Sequence, residues 1–210
     1  MAFDFKKEYK AFYLPPEKPA IVDIPKMNFI AVSGKGDPNA ENGEYAKAME
    51  LLYAIAYTLK MSYKGDHKID GYIEYVVPPL EGFWWQDGTN GVDYAHKEEF
   101  EWISVIRLPD FVAQADFEWA VREATRKKKL DFSVVQFLPL TEGLCVQMMH
   151  VGSYDDEPKT IAAMDQFAAD NGCVIDINKD RHHHEIYLSD PRKTEVSKLK
   201  TVIRHPIKKI

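Results

Sequence analysis

Glycine and proline punctuation divides this chain into two stretches that run through the same order of elements, and that order constrains the fold more than any other feature. In the first stretch the apolar run Met27–Ser33 suits a strand, closed by the turn cluster Gly34-Lys35-Gly36-Asp37-Pro38-Asn39. From Glu44 to about Met61, Ala48, Leu51, Leu52, Ile55, Ala56 and Leu59 recur at spacings of three and four, one face of an amphipathic helix. Ile69–Val77 alternates as a strand that ends at Pro78-Pro79, and Phe100–Leu108 supplies another after a loop carrying Phe83, Trp84 and Trp85. The second stretch repeats the order: strand Gly143–Val151, turn Gly152-Ser153, helix Glu157–Asn171 stopped by Gly172, then strands His183–Leu188 and Leu199–His205. Between the two lie a helix over Asp116–Lys129 and a connecting strand over Phe132–Leu138. The expectation is a single α+β domain over 1–210, with β-α-β-β repeats at about 27–108 and 143–208 joined by a connecting segment at 114–138.

Residues 1–26 precede the first repeat and hold Phe3, Phe5, Tyr9, Phe12 and Tyr13, followed by Pro15, Pro16 and Pro19, which forbid a continuous helix. They read as an arm packed on the body. The 210 residues are 45% hydrophobic, enough for a real core, and carry a net charge of −6, which argues against a protein built to neutralise nucleic-acid phosphates. No run is long and apolar enough to span a bilayer, and the charged N-terminus lacks a signal-peptide core, so the expected location is the cytoplasm. Cys145 and Cys173 are isolated and lack the C-x-x-C spacing of a zinc or redox pair.

Two four-element units side by side, each with one sheet face covered by its helix, can leave a cleft over the uncovered faces. Side chains alternate along a strand, so in His183–Leu188 the apolar Ile186 and Leu188 share one face while His183, Glu185 and Tyr187 share the other. With the apolar pair against the helix, Glu185 and Tyr187 enter the cleft. Counting back six residues from Pro78 and Pro191 puts Tyr72 in register with Glu185, and Glu74 with Tyr187. Other constellations carry less chemistry. His182-His183-His184 are consecutive on a strand, so only His182 and His184 share a face, without a carboxylate or Cys at ligand spacing. Gly34-Lys35-Gly36 lacks the ending of a phosphate loop, and no G-x-S-x-G nucleophile elbow is present.

The segment His183-His184-Glu185-Ile186-Tyr187-Leu188-Ser189-Asp190-Pro191 resembles the C-terminal signature of the GyrI-like small-molecule-binding family. The resemblance covers roughly residues 1–208, including the arm and Gly82-Phe83-Trp84-Trp85. It implies a tandem strand-helix-strand-strand (SHS2-type) fold with pseudo-two-fold symmetry around a central ligand cleft. Chain length and the paired Trp84-Trp85 look most like the stand-alone cyclopropanoid cyclopropyl hydrolases of that family. The family also includes effector domains of transcription regulators and gyrase-inhibitory proteins. No helix-turn-helix segment precedes the repeats, which disfavours the regulator form, and a protein partner such as gyrase ranks behind a small aromatic molecule. Neither a metal nor another cofactor is expected.

The resemblance implies that Glu185 matches the family's pocket carboxylate and that the chemistry is opening of a strained cyclopropane by water. That reaction needs a flat aromatic slot, a base to direct water, and a donor for the oxygen that gains charge. Trp84, Trp85, Trp102, Tyr72 and Tyr187 are candidates for the slot, Glu185 for the base, and Tyr72, Tyr187 or His183 for the donor. The competing reading is a module that sequesters aromatic or cationic compounds unchanged.

Overall fold

The structure is a computed structural model and describes residues 2–89, 93 and 95–210. Two short helices, α1 (Phe5–Glu8) and α2 (Lys10–Tyr13), open the chain. They are followed by strand β1 (Ala20–Lys35), helix α3 (Glu44–Lys60), β2 (Leu80–Trp85), β3 (Glu101–Arg107) and α4 (Gln114–Lys128). Then come β4 (Gln136–Val151), α5 (Glu157–Asp170), β5 (Cys173–Ile175), β6 (His183–Tyr187) and β7 (Lys200–Lys209). No helix among the described residues is long and apolar enough to cross a membrane.

Six strands close into an antiparallel barrel in the order β4-β1-β3-β2-β6-β7, with β4–β7 pairing completing the ring and β5 added at the outer edge of β7. Closure leaves those six strands without a free edge. The sheet faces expected to border an open cleft are therefore turned inward, where Ile24, Met27, Phe29, Ala31, Phe83, Val105 and Cys145 pack together. The opposite face of β1 and β3 is covered by α3 and α4, with Leu52, Ile55, Leu59, Ala120 and Ala124 against Ile30, Trp102 and Ile106. Helix α5 lays Met164 and Ala168 on Val146, Ile203 and Ile207.

The helices fall where the three-and-four spacing puts them, and the strands differ in instructive ways. Ile69–Val77 is not a strand; Tyr75 alone makes an isolated bridge, to Phe3 of the arm. The strand lies after the proline pair, at Leu80–Trp85, with Leu80 to Trp84 all buried. A strand buried on both sides has no polar alternation, so periodicity passes over it. The half-to-half register counted from the prolines falls with this correction, and Tyr72 does not match Glu185. Likewise Phe132–Leu138 and Gly143–Val151 are not separate strands: β4 is a single element of 16 residues.

Charge is buried inside the barrel. His184 Nε2 lies 3.0 Å from Glu81 and its Nδ1 lies 2.9 Å from Glu142, while Arg204 reaches the other Glu142 oxygen at 2.8 Å. Arg204 also donates to Gln147 and to the Phe12 carbonyl, and the Tyr13 hydroxyl donates to Glu81, so the arm is tied to the interior. Burial opposes the charge on His184, but the facing Glu142 and Glu81 outweigh it and raise its pKa. Burial likewise opposes charge on Glu142, and His184 with Arg204 overcomes this and holds it at about 2. Glu142 and Arg204 are thus ionised at neutral pH, and the charged form of His184 is favoured between the two carboxylates.

Removing one member strands the others. Glu142→Gln is expected to cost about 3–5 kcal/mol in urea unfolding at neutral pH. Because the Glu142 pKa is depressed on folding, its contribution is present above the ordinary 4.5 and is lost as pH falls towards about 2. The wild type should lose stability across that window, and the variant should lose measurably less.

Candidate active site

Strand β6 builds the site because its alternate residues have different destinations. His184 and Ile186 point into the barrel, Ile186 against Phe5, Tyr13 and Val202, whereas His183, Glu185 and Tyr187 occupy the outer face. The alternation is the one read from sequence. The destination of the apolar set is not: Ile186 packs on the inner side with the N-terminal arm rather than against α5. The cleft accordingly opens on the outer face, about 1020 Å³ in volume, with Tyr45 and Met49 of α3, Trp84 of β2 and Tyr154 ahead of α5 around Glu185 and Tyr187.

Glu185 is 7% exposed and accepts a hydrogen bond at Oε1 from His183 Nε2 at 2.9 Å. Next to it Trp84 Nε1 donates to the Tyr187 hydroxyl at 2.9 Å. Tyr45 packs on Trp84 at 5.4 Å, and Tyr154 meets Tyr187 edge-on at 6.1 Å. Burial, and then the charge of Glu185, push the phenols up, Tyr154 to about 12 and Tyr45 and Tyr187 further. The hydroxyls of Tyr45, Tyr154 and Tyr187 therefore stay protonated at neutral pH around the Glu185 side chain. That set can accept a proton at Glu185 and donate hydrogen bonds to an oxygen that gains charge.

The sequence candidates are only partly brought together. Glu185, Trp84 and Tyr187 line the cleft, and His183 stands beside Glu185. Trp102 does not line it: the ring is 1% exposed beneath Tyr45, in the space that a Cβ on Gly34 would fill. Trp85 stacks on His182 at 4.2 Å, and Tyr72 packs with Tyr63 and Phe111 and donates to the Lys60 carbonyl.

Sequence reasoning passed over Tyr45, Tyr154, His205 and Glu157. Glu157 had a readable signal, since Glu157, Thr160, Met164 and Ala168 form the buried stripe of α5, and a carboxylate in such a stripe faces the body. Glu157, His183 and Glu185 hold their ligand atoms within 4.8 Å of one another, the one set among the described residues able to take a metal ion. This set joins His183 and Glu185 of β6 to Glu157 of α5, a partner that the spacing of the three consecutive histidines does not reveal. His184, which strand alternation pairs with His182, is held inside the barrel by two carboxylates.

Gly82 sits directly opposite Glu185 in the β2–β6 register. A Cβ there would lie 2.6 Å from Trp84 Nε1 and 3.1 Å from the Tyr187 hydroxyl, so Gly82 makes room for their hydrogen bond. Gly82→Ala is expected to destabilise the protein by about 1–3 kcal/mol and to alter its tryptophan emission, as measured by urea unfolding followed by fluorescence.

Comparison with known proteins fits this geometry. The model of the GyrI-like small molecule binding domain matches residues 17–208. A crystal structure of a hydrolase from Listeria innocua is 48% identical, with a TM-score of 0.89, covering 98% of this chain and all of the other. A second hydrolase structure from that organism, encoded by lin2189, is 49% identical with a TM-score of 0.90, over 99% of this chain and all of the other. The C-terminal domain of EcmrR shares the fold alone, at 14% identity and a TM-score of 0.55, over 92% of this chain and 98% of that one. No curated protein sequence matches. A family match over nearly the whole length, joined to close structural agreement with the Listeria proteins, establishes that the chain belongs to the GyrI-like small-molecule-binding family.

Proposed function

We propose that this protein is a hydrolase that opens the cyclopropane ring of cyclopropanoid DNA-alkylating molecules by adding water, with Glu185 as the base. The observation that carries the reading is a carboxylate, almost wholly buried, at the wall of an aromatic cleft and hydrogen-bonded to His183. The Listeria hydrolases at 48% and 49% identity support it. Such an enzyme would act in the cytoplasm, before the compounds reach DNA. We also read the chain as one domain made of two copies, β1–α3–β2–β3 and β4–α5–β6–β7, in keeping with the β1–β4 and β2–β6 pairings that join them.

A flat substrate would lie along Trp84 and Tyr45, with stacking worth about 0.5–1.5 kcal/mol per ring pair beyond burial. Water held by Glu185 attacks the ring carbon; the C–O bond forms, the strained C–C bond breaks, and its electron pair ends on the dienone oxygen as a phenolate. We assign Tyr187 and Tyr154 as the donors to that oxygen, since both line the cleft with Glu185, whereas Tyr72 is outside its lining and its hydroxyl donates to the Lys60 carbonyl. His183 keeps the Glu185 carboxylate oriented.

A second reading is sequestration of an aromatic or cationic compound unchanged in the same cleft, where Glu185 and Glu50 stand among the aromatic rings while Asp155 and Asp190 are paired with Lys97 and Arg192. Incubation with excess cyclopropanoid compound separates the two: catalytic formation of the water adduct by mass spectrometry is expected, and return of unchanged compound would favour sequestration. Glu185→Gln should lower turnover by about 10²–10⁴-fold while leaving ligand affinity within a few-fold. Unchanged turnover would remove Glu185 from the role of base.

A further inference from the structure

We infer that Glu157, His183 and Glu185 form a binding site for one first-row divalent transition ion, Zn²⁺ foremost, and that an ion held there takes the Glu185 carboxylate out of its role as base. Occupancy of the site stands on its own; its effect on turnover rests on the hydrolytic reading above. The three residues offer one ligand atom each, all within 4.8 Å of one another. They come from two elements: Glu157 opens α5, and His183 and Glu185 occupy alternate positions on β6. All three are buried, Glu157 at 0%, His183 at 1% and Glu185 at 7% exposure. The set is therefore part of the protein wall rather than a patch of solvated surface acid.

Zinc stands about 2.0–2.2 Å from nitrogen and oxygen ligands, which puts the ligands of a tetrahedral ion about 3.3–3.6 Å apart. His183 Nε2 lies 2.9 Å from Glu185 Oε1, and no pair in the set exceeds 4.8 Å, so the observed separations bracket that figure. Small rotations of the two carboxylates would close the set around an ion. His183 is also oriented as a ligand has to be. Its Nε2 faces the set, and its Nδ1 lies 2.7 Å from Nε2 of the buried His205. A ligating imidazole commonly donates its other N–H to such an acceptor, which fixes the ring and its tautomer. Of the three residues Glu185 alone lines the cleft, so a fourth position, open to water or a ligand, lies on that side.

The distribution of charge favours the same occupant. Inside the barrel the buried Glu142 is met by both Arg204 and His184. Among the described residues Glu185 has no lysine or arginine within ion-pair distance; its partners are His183 and the Tyr187 hydroxyl. A divalent cation supplies the opposite charge that a buried carboxylate needs. The donor set selects the class of ion. An imidazole suits borderline transition ions, whereas Mg²⁺ keeps several waters in an octahedron and Ca²⁺ takes about 6–8 oxygens. Three protein ligands with one open place match the pattern of zinc sites that reserve a position for water or a ligand. An ion bound through Glu185 holds the lone pair that would otherwise direct water, so metal and base compete for one oxygen.

The probe is Zn²⁺ alone, titrated into the metal-free full chain by calorimetry, with Co²⁺ as a spectroscopic substitute. One equivalent should bind, and the Co²⁺ form should show the visible absorption of a four-coordinate ion. Glu157→Gln and His183→Leu should each weaken Zn²⁺ binding by about 100-fold, and His205→Phe, which removes only the acceptor for His183, by about 10-fold or more. His96→Ala, at an exposed imidazole paired with Asp93, should change nothing. A loss there, or full binding retained in Glu157→Gln, would assign the ion to the surface and overturn the site. Absence of the Co²⁺ spectrum from the wild type would overturn it as well, however the variants fold. Displacement by equimolar Mg²⁺ would overturn the choice of a transition ion. With a cyclopropanoid compound, saturating Zn²⁺ should lower turnover by about 10²-fold or more, and a chelator should restore it. Turnover that is unchanged or raised would overturn the competition at Glu185. If the chain binds Zn²⁺ one-to-one and turns nothing over in either form, the hydrolytic reading fails and the site stands; turnover without Zn²⁺ binding keeps that reading and removes the site.

Discussion

The pairing of Glu81, His184, Glu142 and Arg204 inside the barrel is the constraint on which the rest of the structure depends. Buried charges are tolerable only when each finds an opposite partner at hydrogen-bond distance, and here the four come from β2, β6, β4 and β7. The network therefore specifies which strands meet across the interior. It also recruits the arm, through the Phe12 carbonyl and the Tyr13 hydroxyl. Hydrophobic burial alone would permit several packings of these strands. A charged network that must be satisfied permits far fewer, at some cost in stability.

The same strand that holds His184 in the interior presents Glu185 to the cleft. The site inherits its rigidity from this arrangement: β6 is hydrogen-bonded to β2 on one side and β7 on the other, so the Glu185 backbone has little freedom. Side chains from α3 and from the segment before α5 complete the cleft, and Gly82 leaves space for the Trp84–Tyr187 contact. Barrel and site are two faces of one sheet.

How much of this could be read from sequence depended on whether one side of an element faces water. Helices α3, α4 and α5 each keep a polar face, and their three-and-four spacing located them to within a few residues. The orientation of Glu185 was legible for a similar reason, since His183–Leu188 alternates. Leu80–Trp85 was not, because both of its faces are buried, and Ile69–Val77 imitated a strand through side chains that pack on the arm. Closure of the barrel has no local signature at all; it rests on β4–β7 contacts between distant residues. The aromatic candidates illustrate the same limit. Trp84 and Trp102 are paired neighbours on adjacent strands, yet one reaches the cleft and the other fills the space left by Gly34.

The two-faced strand also governs how a protein of this kind can change over generations. Substitutions at His184 or Ile186 disturb the interior and endanger every copy of the fold, whereas those at His183, Glu185 or Tyr187 alter what the cleft accepts and leave the barrel charges paired. Insertion or deletion of one residue in β6 would exchange the two sets at once and lose both. Variation among related proteins should therefore arrive as single replacements at alternate positions, with strand length held constant, so that ligand preference can drift while the architecture stays fixed.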